Sequence, residues 1–210
     1  MDYNVVATGS SGNAVILDNK ILIDCGVSFK HLSSYVKNLG IVLLTHIHQD
    51  HFKKSTIERL AKERPMLRFA CCEWLAEPLK QCGVKNIDIL EIGKLYNYKQ
   101  FEISPFKLYH DVENCGYRIF INGEKALYAT DTATLDGISA KDYSLYLVEA
   151  NYQADEIYQR IAEKISEQKY VYEYRVFKTH LSKENCDRWL MENKNENSEI
   201  VYLHRHKERK

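Results

Sequence analysis

Leu43-Leu44-Thr45-His46-Ile47-His48-Gln49-Asp50-His51 is the stretch of sequence that decides the fold of this chain. Three histidines and an aspartate occupy six positions, at the end of a run (residues 41–45) that we predict to be a buried strand. Imidazole favours zinc, and a carboxylate beside it suits a binuclear site that produces hydroxide near neutral pH. The alternative, a polar loop that is histidine-rich by chance, explains the His-x-His-x-Asp-His order less well. The stretch therefore predicts a metal cluster on a strand-end loop.

Further short motifs follow and precede this stretch in a fixed order. They are Ala7-Thr8-Gly9-Ser10-Ser11-Gly12-Asn13-Ala14, Ile21-Leu22-Ile23-Asp24-Cys25-Gly26, His110-Asp111, Gly116-Tyr117-Arg118-Ile119, Ala129-Thr130-Asp131-Thr132, Val148-Glu149-Ala150-Asn151 and Thr179-His180-Leu181-Ser182. Their shared order resembles the metallo-β-lactamase fold superfamily, in particular its YycJ-like branch, which is itself similar to ribonuclease Z. The resemblance covers nearly the whole chain. It implies an α/β fold with the architecture of an αββα four-layer sandwich.

The same resemblance implies a ligand set for two divalent metal ions. Zinc is favoured by the affinity order, and manganese is the alternative because availability in the cell can overturn that order. The residues assigned by resemblance are His46, His48 and His110 for one metal, Asp50, His51 and a late histidine for the other, and Asp131 as the bridge. Without the motif order, His110 would be a structural histidine and Asp131 a helix N-cap in the turn at residues 130–133.

Three histidines, His180, His204 and His206, compete to be the late ligand. In ribonuclease Z-like members a histidine that opens a helix beside a small hydroxyl residue works on the substrate, and a histidine at the end of the following strand binds metal. Residues 181–184 predict a helix start, and residues 199–203 predict a strand that ends at His204. We therefore assign His180 to catalysis and His204 to metal, with His206 as the alternative. Arg205-His206 departs from the branch, where leucine and serine are usual at these positions.

Glu149 resembles the glutamate that pairs with the substrate-facing histidine of ribonuclease Z. A carboxylate bound to imidazole fixes its tautomer and raises its basicity, so the pair suits protonation of a leaving alkoxide by His180. Without the resemblance, Glu149 would be a surface charge at a strand end. Asp50 is expected to orient the metal-bridging hydroxide or to take its proton. Asp24 is expected to orient a ligand histidine rather than to bind metal itself.

The role of the turn that contains Ser10, Ser11 and Asn13 stays open. It either lines the rim of the site through its backbone amides or is a plain β-turn.

These roles favour hydrolysis of a phosphodiester, most simply by a nuclease, since the expelled alkoxide needs a proton. A thioester expels a stable thiolate that hardly needs one, so a small-molecule thioester or lactone hydrolase is the second hypothesis. A metal-bound, non-catalytic binding protein is the third, and the intact ligand set argues against it. Asp131 argues against a true β-lactamase, because many of those enzymes carry cysteine at the equivalent position.

Composition fits a compact version of this fold. The 210 residues, 45% of them hydrophobic, predict one domain (1–210) or two tightly fused halves, and the roughly 70 residues between Asp131 and His204 leave no room for an inserted cap domain. Lys+Arg and Asp+Glu are equal at 29 each, so a nucleic-acid substrate would need a local basic patch.

With no leader-like N-terminus and no apolar window of membrane-spanning length, we expect a soluble, cytoplasmic protein without a membrane partner. A homodimer is left open. The six cysteines form no C-x-x-C pair, which predicts reduced thiols.

Local patterns predict several elements. Residues 14–17 and 21–23 are short strands joined by a turn at Asp18-Asn19-Lys20, and Asn122-Gly123 predicts a hairpin turn because both residues tolerate positive φ. Ser55, with Glu58 three residues on, predicts a capped helix that Pro65 stops. Residues 73–81, 155–168 and 183–191 are predicted as further helices.

Overall fold

The computed structural model describes residues 1–205, so His206 and the basic tail lie outside the described residues. The chain divides into two compact units, Met1–Phe106 and Lys107–Lys210. Among the described residues, no helix is both long and apolar enough to cross a membrane.

The first unit contains a six-stranded sheet whose strands lie side by side in chain order. The strands are β1 (Tyr3–Ala7), β2 (Ala14–Leu17), β3 (Ile21–Ile23), β4 (Ile41–Leu43), β5 (Arg68–Cys71) and β6 (Asn86–Ile89). β1 to β3 pair antiparallel, and β3 to β6 pair parallel. β2, β3 and β4 are buried along their whole length, as their unbroken apolar sequences indicate. The carboxyl ends of β3 and β4 therefore lie at one edge of the sheet, and both lead into site residues.

Three helices belong to this unit: α1 (Phe29–Leu32), α2 (Lys54–Glu63) and α3 (Ala76–Gln81), the last preceded by a 3₁₀ turn at Glu73–Leu75. The predicted cap at Ser55 is wrong, because the N-cap of α2 is Lys53, two residues earlier, and it makes no side-chain cap hydrogen bond. The hydroxyl that holds the first turn of α2 in place belongs to Thr56, not to Ser55, and it donates to the carbonyl of Val27 at 2.6 Å. The predicted stop before Pro65 is confirmed.

The first unit ends with a short antiparallel pair of strands. β7 (Tyr96–Asn97) pairs with the beginning of β8 (Phe101–Tyr109), and β8 runs across the boundary between the units.

The second unit contains β9 (Glu113–Ile121), β10 (Glu124–Ala129), β11 (Leu145–Glu149) and β12 (Glu199–Leu203), adjacent in that order. β9 and β10 form an antiparallel hairpin, and β10, β11 and β12 run parallel. The hairpin turn is confirmed, with φ of 51° at Asn122 and 82° at Gly123. Every residue of the central strand β11 is buried. Because parallel strands end at the same edge of a sheet, β10, β11 and β12 bring Asp131, Glu149 and His204 to one place.

Three helices complete the second unit: α4 (Ala154–Ser166), α5 (Glu173–Thr179) and α6 (Lys183–Asn193). α6 begins as its sequence predicts, with the hydroxyl of Ser182 accepting from the backbone N–H of Asn185 at 3.2 Å. α5 has no counterpart in the sequence prediction, because its short sequence has neither a capping residue nor a sustained helical apolar period.

Candidate functional site

The histidine loop of the first unit follows β4 and holds four of the predicted ligands close together. The ring centroid of His46 lies 4.2 Å from that of His51 and 4.9 Å from that of His48. Asp50 Oδ2 lies 3.6 Å from His51 Nε2. His46 and His51 are fully buried, whereas Asp50 and His48 are partly accessible. The loop thus gathers three imidazoles and one carboxylate.

Asp24, at the end of β3, organises this loop from beneath. One carboxylate oxygen accepts from the backbone N–H and the hydroxyl of Thr45, both at 3.0 Å, and the other accepts from Nδ1 of His51 at 2.7 Å. The Thr45 hydroxyl in turn lies 2.9 Å from Nδ1 of His46. With each Nδ1 held by oxygen, Nε2 is the basic nitrogen of both rings. The expectation that Asp24 orients a histidine is confirmed.

Asn13 contacts the site through its side chain, whereas the sequence analysis considered only the backbone amides of its turn. Its Nδ2 lies 2.7 Å from Nε2 of His51 and 3.3 Å from Oδ2 of Asp50, and its Oδ1 accepts from the backbone N–H of Gly9 at 2.8 Å. A bond between the N–H of Gly12 and the carbonyl of Gly9, 2.9 Å, makes residues 9–12 a β-turn. The turn therefore acts through the Asn13 side chain. A metal bound to Nε2 of His51 would have to displace the Asn13 amide.

Gly26 allows three separate segments to meet beneath the loop. The N–H of Asn13 donates to the carbonyl of Asp50 at 2.6 Å, the N–H of Gly26 donates to the carbonyl of Asn13 at 2.9 Å, and the N–H of Cys25 donates to the carbonyl of His51 at 2.8 Å. A Cβ at position 26 would lie 1.6 Å from the carbonyl oxygen of Asp50. Only glycine permits this approach.

In the second unit, Asp131 is the centre of a buried acidic and histidine cluster. Its Oδ1 lies 3.0 Å from Nδ1 of His204, 3.5 Å from Nδ1 of His180 and 3.9 Å from Nε2 of His110. One ligand atom from each of Asp131, Glu149, His180 and His204 lies within 4.8 Å of the others. Four strand ends or loops, far apart in sequence, meet here.

Glu149 is bound on both of its oxygens. Oε1 accepts from Nδ1 of His180 at 2.7 Å, and Oε2 accepts from the backbone N–H groups of Thr132 at 2.9 Å and Leu181 at 3.3 Å. The Glu149 side chain is 0% exposed, and that of His180 is 17% exposed. The carboxylate is therefore fixed inside the protein while the imidazole still meets solvent.

Burial disfavours the charged form of each group in this cluster, but at Glu149, His180 and His204 the neighbouring side chains together have the larger effect on the pKa. Burial would raise the pKa of Glu149, yet hydrogen bonds from His180 and His204 hold it below its ordinary value. Burial would lower the pKa of His180, but Glu149 raises it, and the pKa of His204 rises to about 10 beside Asp131 and Glu149. At His110 burial dominates over Asp131, so its pKa is lowered.

Two asparagines hold backbone carbonyls of this cluster, and the sequence analysis assigned neither role. Asp131 and His204 have left-handed backbones, with φ of 57° and 51°. Nδ2 of Asn114 donates to the carbonyls of Thr130 at 3.1 Å and Asp131 at 2.7 Å. Nδ2 of Asn151 donates to the carbonyl of His204 at 3.0 Å. These amides offset the cost of conformations that side-chain-bearing residues seldom adopt.

His110 follows β8 and is oriented by α5. Its Nδ1 donates to the carbonyl of Thr179 at 2.8 Å, and its Nε2 lies 3.2 Å from Oδ1 of Asp111 and 3.9 Å from Oδ1 of Asp131. The structure thus groups His46, His48, Asp50 and His51 in one unit, and His110, Asp131, Glu149, His180 and His204 in the other. In the described part of the chain no helix directly follows Asp131, so the alternative that Asp131 is a helix N-cap is wrong.

The donor sets of both groups fit a divalent metal. Each combines imidazole nitrogen with carboxylate oxygen, the ligands that zinc takes in proteins. Most of these histidines also have Nδ1 held by an oxygen, which is how metal-binding imidazoles are usually oriented. Which residues bind which ion remains a prediction.

Comparison with known proteins gives concordant results. A family model described as "Beta-lactamase superfamily domain" matches residues 19–190. Exodeoxyribonuclease YycJ of Bacillus anthracis is 27% identical over 149 aligned positions, and the alignment covers 63% of this chain and 54% of that protein. The match thus spans about half the length of this curated relative.

Solved structures resemble the chain over nearly all of its length. The metallo-beta-lactamase fold protein YhfI from Bacillus subtilis has a TM-score of 0.75 at 16% identity, covering 97% of this chain and 85% of that one. The short form of human tRNase Z has a TM-score of 0.72 at 15% identity, covering 99% and 93%. These likenesses confirm the predicted fold class, an α/β metallo-β-lactamase fold.

Proposed function

The chain belongs to the beta-lactamase superfamily, and from this premise we propose that it is a metal-dependent hydrolase that cleaves phosphodiester bonds, in nucleic acid or in a related substrate. The proposal takes its reaction class from the chemistry of the second unit. The names of its relatives, an exodeoxyribonuclease and a tRNase Z, agree with that class.

The observation that carries the proposal is the pairing of Glu149 with His180. The buried carboxylate holds Nδ1 at 2.7 Å, so Nε2 is the nitrogen left to face a substrate. Burial would lower the pKa of His180, but the same carboxylate raises it above its ordinary value and so favours the protonated ring. A protonated, partly accessible imidazole is suited to give its proton to a leaving alkoxide. Phosphodiesters expel such an alkoxide, whereas thioesters do not.

We assign two divalent metal ions, zinc or manganese, to this chemistry. The proposed ligands are His46, His48, Asp50, His51, His110, Asp131 and His204. When bound, such ions lower the pKa of a coordinated water and offset negative charge on the substrate oxygens. Asp50 is proposed to accept a proton from, or to orient, the attacking water. Asp24, Asn114 and Asn151 hold these residues in place through the contacts described above.

The acid role of His180 is tested with two phosphodiesters that differ in leaving group. General acid catalysis gives about 10²–10⁴-fold, but only where the departing oxygen is basic enough to need the proton. His180→Ala should therefore lose about that factor on an alkyl phosphodiester and much less on an aryl phosphodiester. Glu149→Gln should show a weaker form of the same selectivity, because His180 stays in place but is less well oriented.

Two controls accompany this test. His31→Ala removes an exposed histidine of α1 and should change neither rate. Elemental analysis should find the same metal content in His180→Ala as in the unmodified protein, whereas His204→Ala should lose metal. Equal losses on both substrates would remove His180 from the acid role. Loss of metal from His180→Ala but not from His204→Ala would reverse the assignment of the two histidines.

A further inference from the structure

Exposed tyrosines are concentrated in one part of the second unit. Among the described residues, the exposed ones are Tyr109, Tyr158, Tyr170, Tyr172 and Tyr174. Three of them alternate along residues 169–178, Lys-Tyr-Val-Tyr-Glu-Tyr-Arg-Val-Phe-Lys, which lead into and include most of α5. We call residues 169–178 the tyrosine segment. Tyr170 is 86% exposed and Tyr174 is 54% exposed, so both rings are accessible to a ligand.

The exposed charges of the tyrosine segment are all positive. Lys169, Arg175 and Lys178 are exposed, and the only acid within the segment, Glu173, is buried and paired with Lys164 at 2.6 Å. Outside the segment, the exposed Glu167 lies 2.8 Å from the ammonium of Lys169. The chain as a whole carries equal numbers of acidic and basic residues. The segment is thus a local combination of cations and exposed aromatic rings in a chain that has no net charge.

The segment is anchored rather than loosely attached. Phe177 packs against Tyr152 and Tyr158, with ring centroids 5.3 and 5.4 Å away. The ammonium of Lys164 lies 3.7 Å from the centre of the Tyr172 ring. These contacts fix the backbone, so the Tyr170 and Tyr174 rings are presented to solvent at a lower entropic cost of binding.

The segment also leads directly to the proposed catalytic cluster. α5 ends at Thr179, whose carbonyl accepts from His110, and His180 follows at once. Arg175 is paired with Asp111, the neighbour of His110. Tyr174 is six positions before His180, about 9 Å at the helical rise of ~1.5 Å per residue. A polymer lying on the segment would therefore reach the cluster within a few monomers.

We propose that the tyrosine segment binds single-stranded nucleic acid, with bases stacked on Tyr170 and Tyr174 and phosphates contacted by Lys178 and by Lys169, which exchanges its exposed partner Glu167 for a phosphate. Aromatic rings interleaved with cations are the combination that holds unpaired bases and their backbone together. A base inside a duplex has both faces stacked already, so the segment prefers single strands. The choice of nucleic acid as the polymer rests on the proposed function, but the binding itself needs no hydrolysis.

The test is fluorescence anisotropy of a fluorescein-labelled oligothymidylate of about 12 nucleotides, within the ~4–16 nucleotides of typical single-strand sites. The full chain is used as purified, and a gel checks that the oligonucleotide stays intact. Tyr170→Ala and Tyr174→Ala should each weaken binding about tenfold, and Tyr170→Phe should retain it, since stacking needs the ring and not the hydroxyl. Lys178→Ala should lower the slope of log K against log salt by about 0.7.

Met191→Ala is the matched control, because Met191 is 77% exposed on α6 in the same unit. It should bind the oligonucleotide as the unmodified chain does. The proposal is overturned if the chain does not bind the oligonucleotide, if Tyr170→Ala and Tyr174→Ala bind normally, or if a duplex of the same length binds as tightly and with the same sensitivity to Tyr170→Ala. Binding that follows this pattern in a chain that hydrolyses no phosphodiester would leave the surface standing and refute only the proposed function.

Discussion

Replacing Gly26 with alanine should dismantle the histidine loop while leaving the chemistry of every proposed ligand unchanged. The new Cβ would lie 1.6 Å from the carbonyl oxygen of Asp50 and 2.7 Å from the backbone nitrogen of Asn13. Both obstacles are backbone atoms, which have no rotamer to change. The loop must therefore move by more than an ångström for the methyl group to fit.

The magnitude follows from the hydrogen bonds that this movement breaks. The bonds from Asn13 N–H to Asp50 O and from Gly26 N–H to Asn13 O join the segments that separate. Each is worth about 0.5–1.5 kcal/mol, and each buried group left unpaired costs about 1–3 kcal/mol. We expect the free energy of unfolding to fall by about 3–6 kcal/mol, a large part of the ~5–15 kcal/mol typical of whole domains.

Urea denaturation measures the change, and metal content measured on the folded fraction shows whether the loop still binds. Gly40→Ala is the matched control in the same unit, because its Cβ would meet only the carbonyl of Lys20, at 3.8 Å. That variant should stay within about 0.5 kcal/mol of the unmodified chain. If Gly26→Ala unfolds at the same urea concentration as Gly40→Ala, the described packing beneath the loop is wrong.

Three further predictions use other parts of the chain. All six cysteines are buried and form no disulfide, and burial raises the pKa of Cys71 and Cys186 to about 12. A disulfide reagent at pH 8 should therefore modify no thiol in the folded protein and all six in denaturant, and rapid reaction of a native thiol would contradict the burial. Asn114→Ala removes two hydrogen bonds to carbonyls beside Asp131 and should cost about 1–3 kcal/mol in urea denaturation, an expectation that an unchanged midpoint would refute. Burial would raise the pKa of the Asp187 carboxyl, but Lys183 and Tyr202 lower it overall, so Asp187 should stabilise the fold above the unfolded pKa of about 4 and lose that effect as pH falls through the lower folded value. The difference in unfolding free energy between the unmodified chain and Asp187→Asn should therefore shrink in acid, and a difference that grows in acid would contradict the lowered pKa.

Local patterns were enough for the elements whose conformation depends on a few adjacent residues. Asn122-Gly123 gave the hairpin turn because both residues accept positive φ, and the unbroken apolar runs gave β2 and β3 to the residue. The prediction of a cap at Ser55 was wrong because the hydroxyl that holds the start of the helix belongs to its neighbour Thr56. That hydroxyl donates to the carbonyl of Val27, 29 positions away. A capping pattern cannot report a tertiary contact.

In the candidate site, too, motif order predicted some residues, whereas contacts between distant segments could not be predicted. The order of the motifs allowed Glu149 and His180 to be paired, and the structure places them 2.7 Å apart. Asn13, Asn114 and Asn151 were missed in their site roles because each acts through an amide that reaches a distant segment, a contact without a local pattern. The left-handed backbones of Asp131 and His204 were equally unpredictable, since strand ends rarely require them. What the sequence alone could not supply was the set of polar contacts that hold the ligands.

The most direct test of the central claim is the hydrolysis of an aryl phosphodiester and a thioester by the purified chain, with metal content measured on the same sample before and after chelation. We expect about two transition-metal ions per chain, phosphodiester turnover that exceeds thioester turnover, loss of the phosphodiester activity with the metal, and its return when zinc or manganese is added. Phosphodiester hydrolysis that survives removal of the metal, or thioester turnover that exceeds it in the metal-loaded protein, would contradict the proposed function.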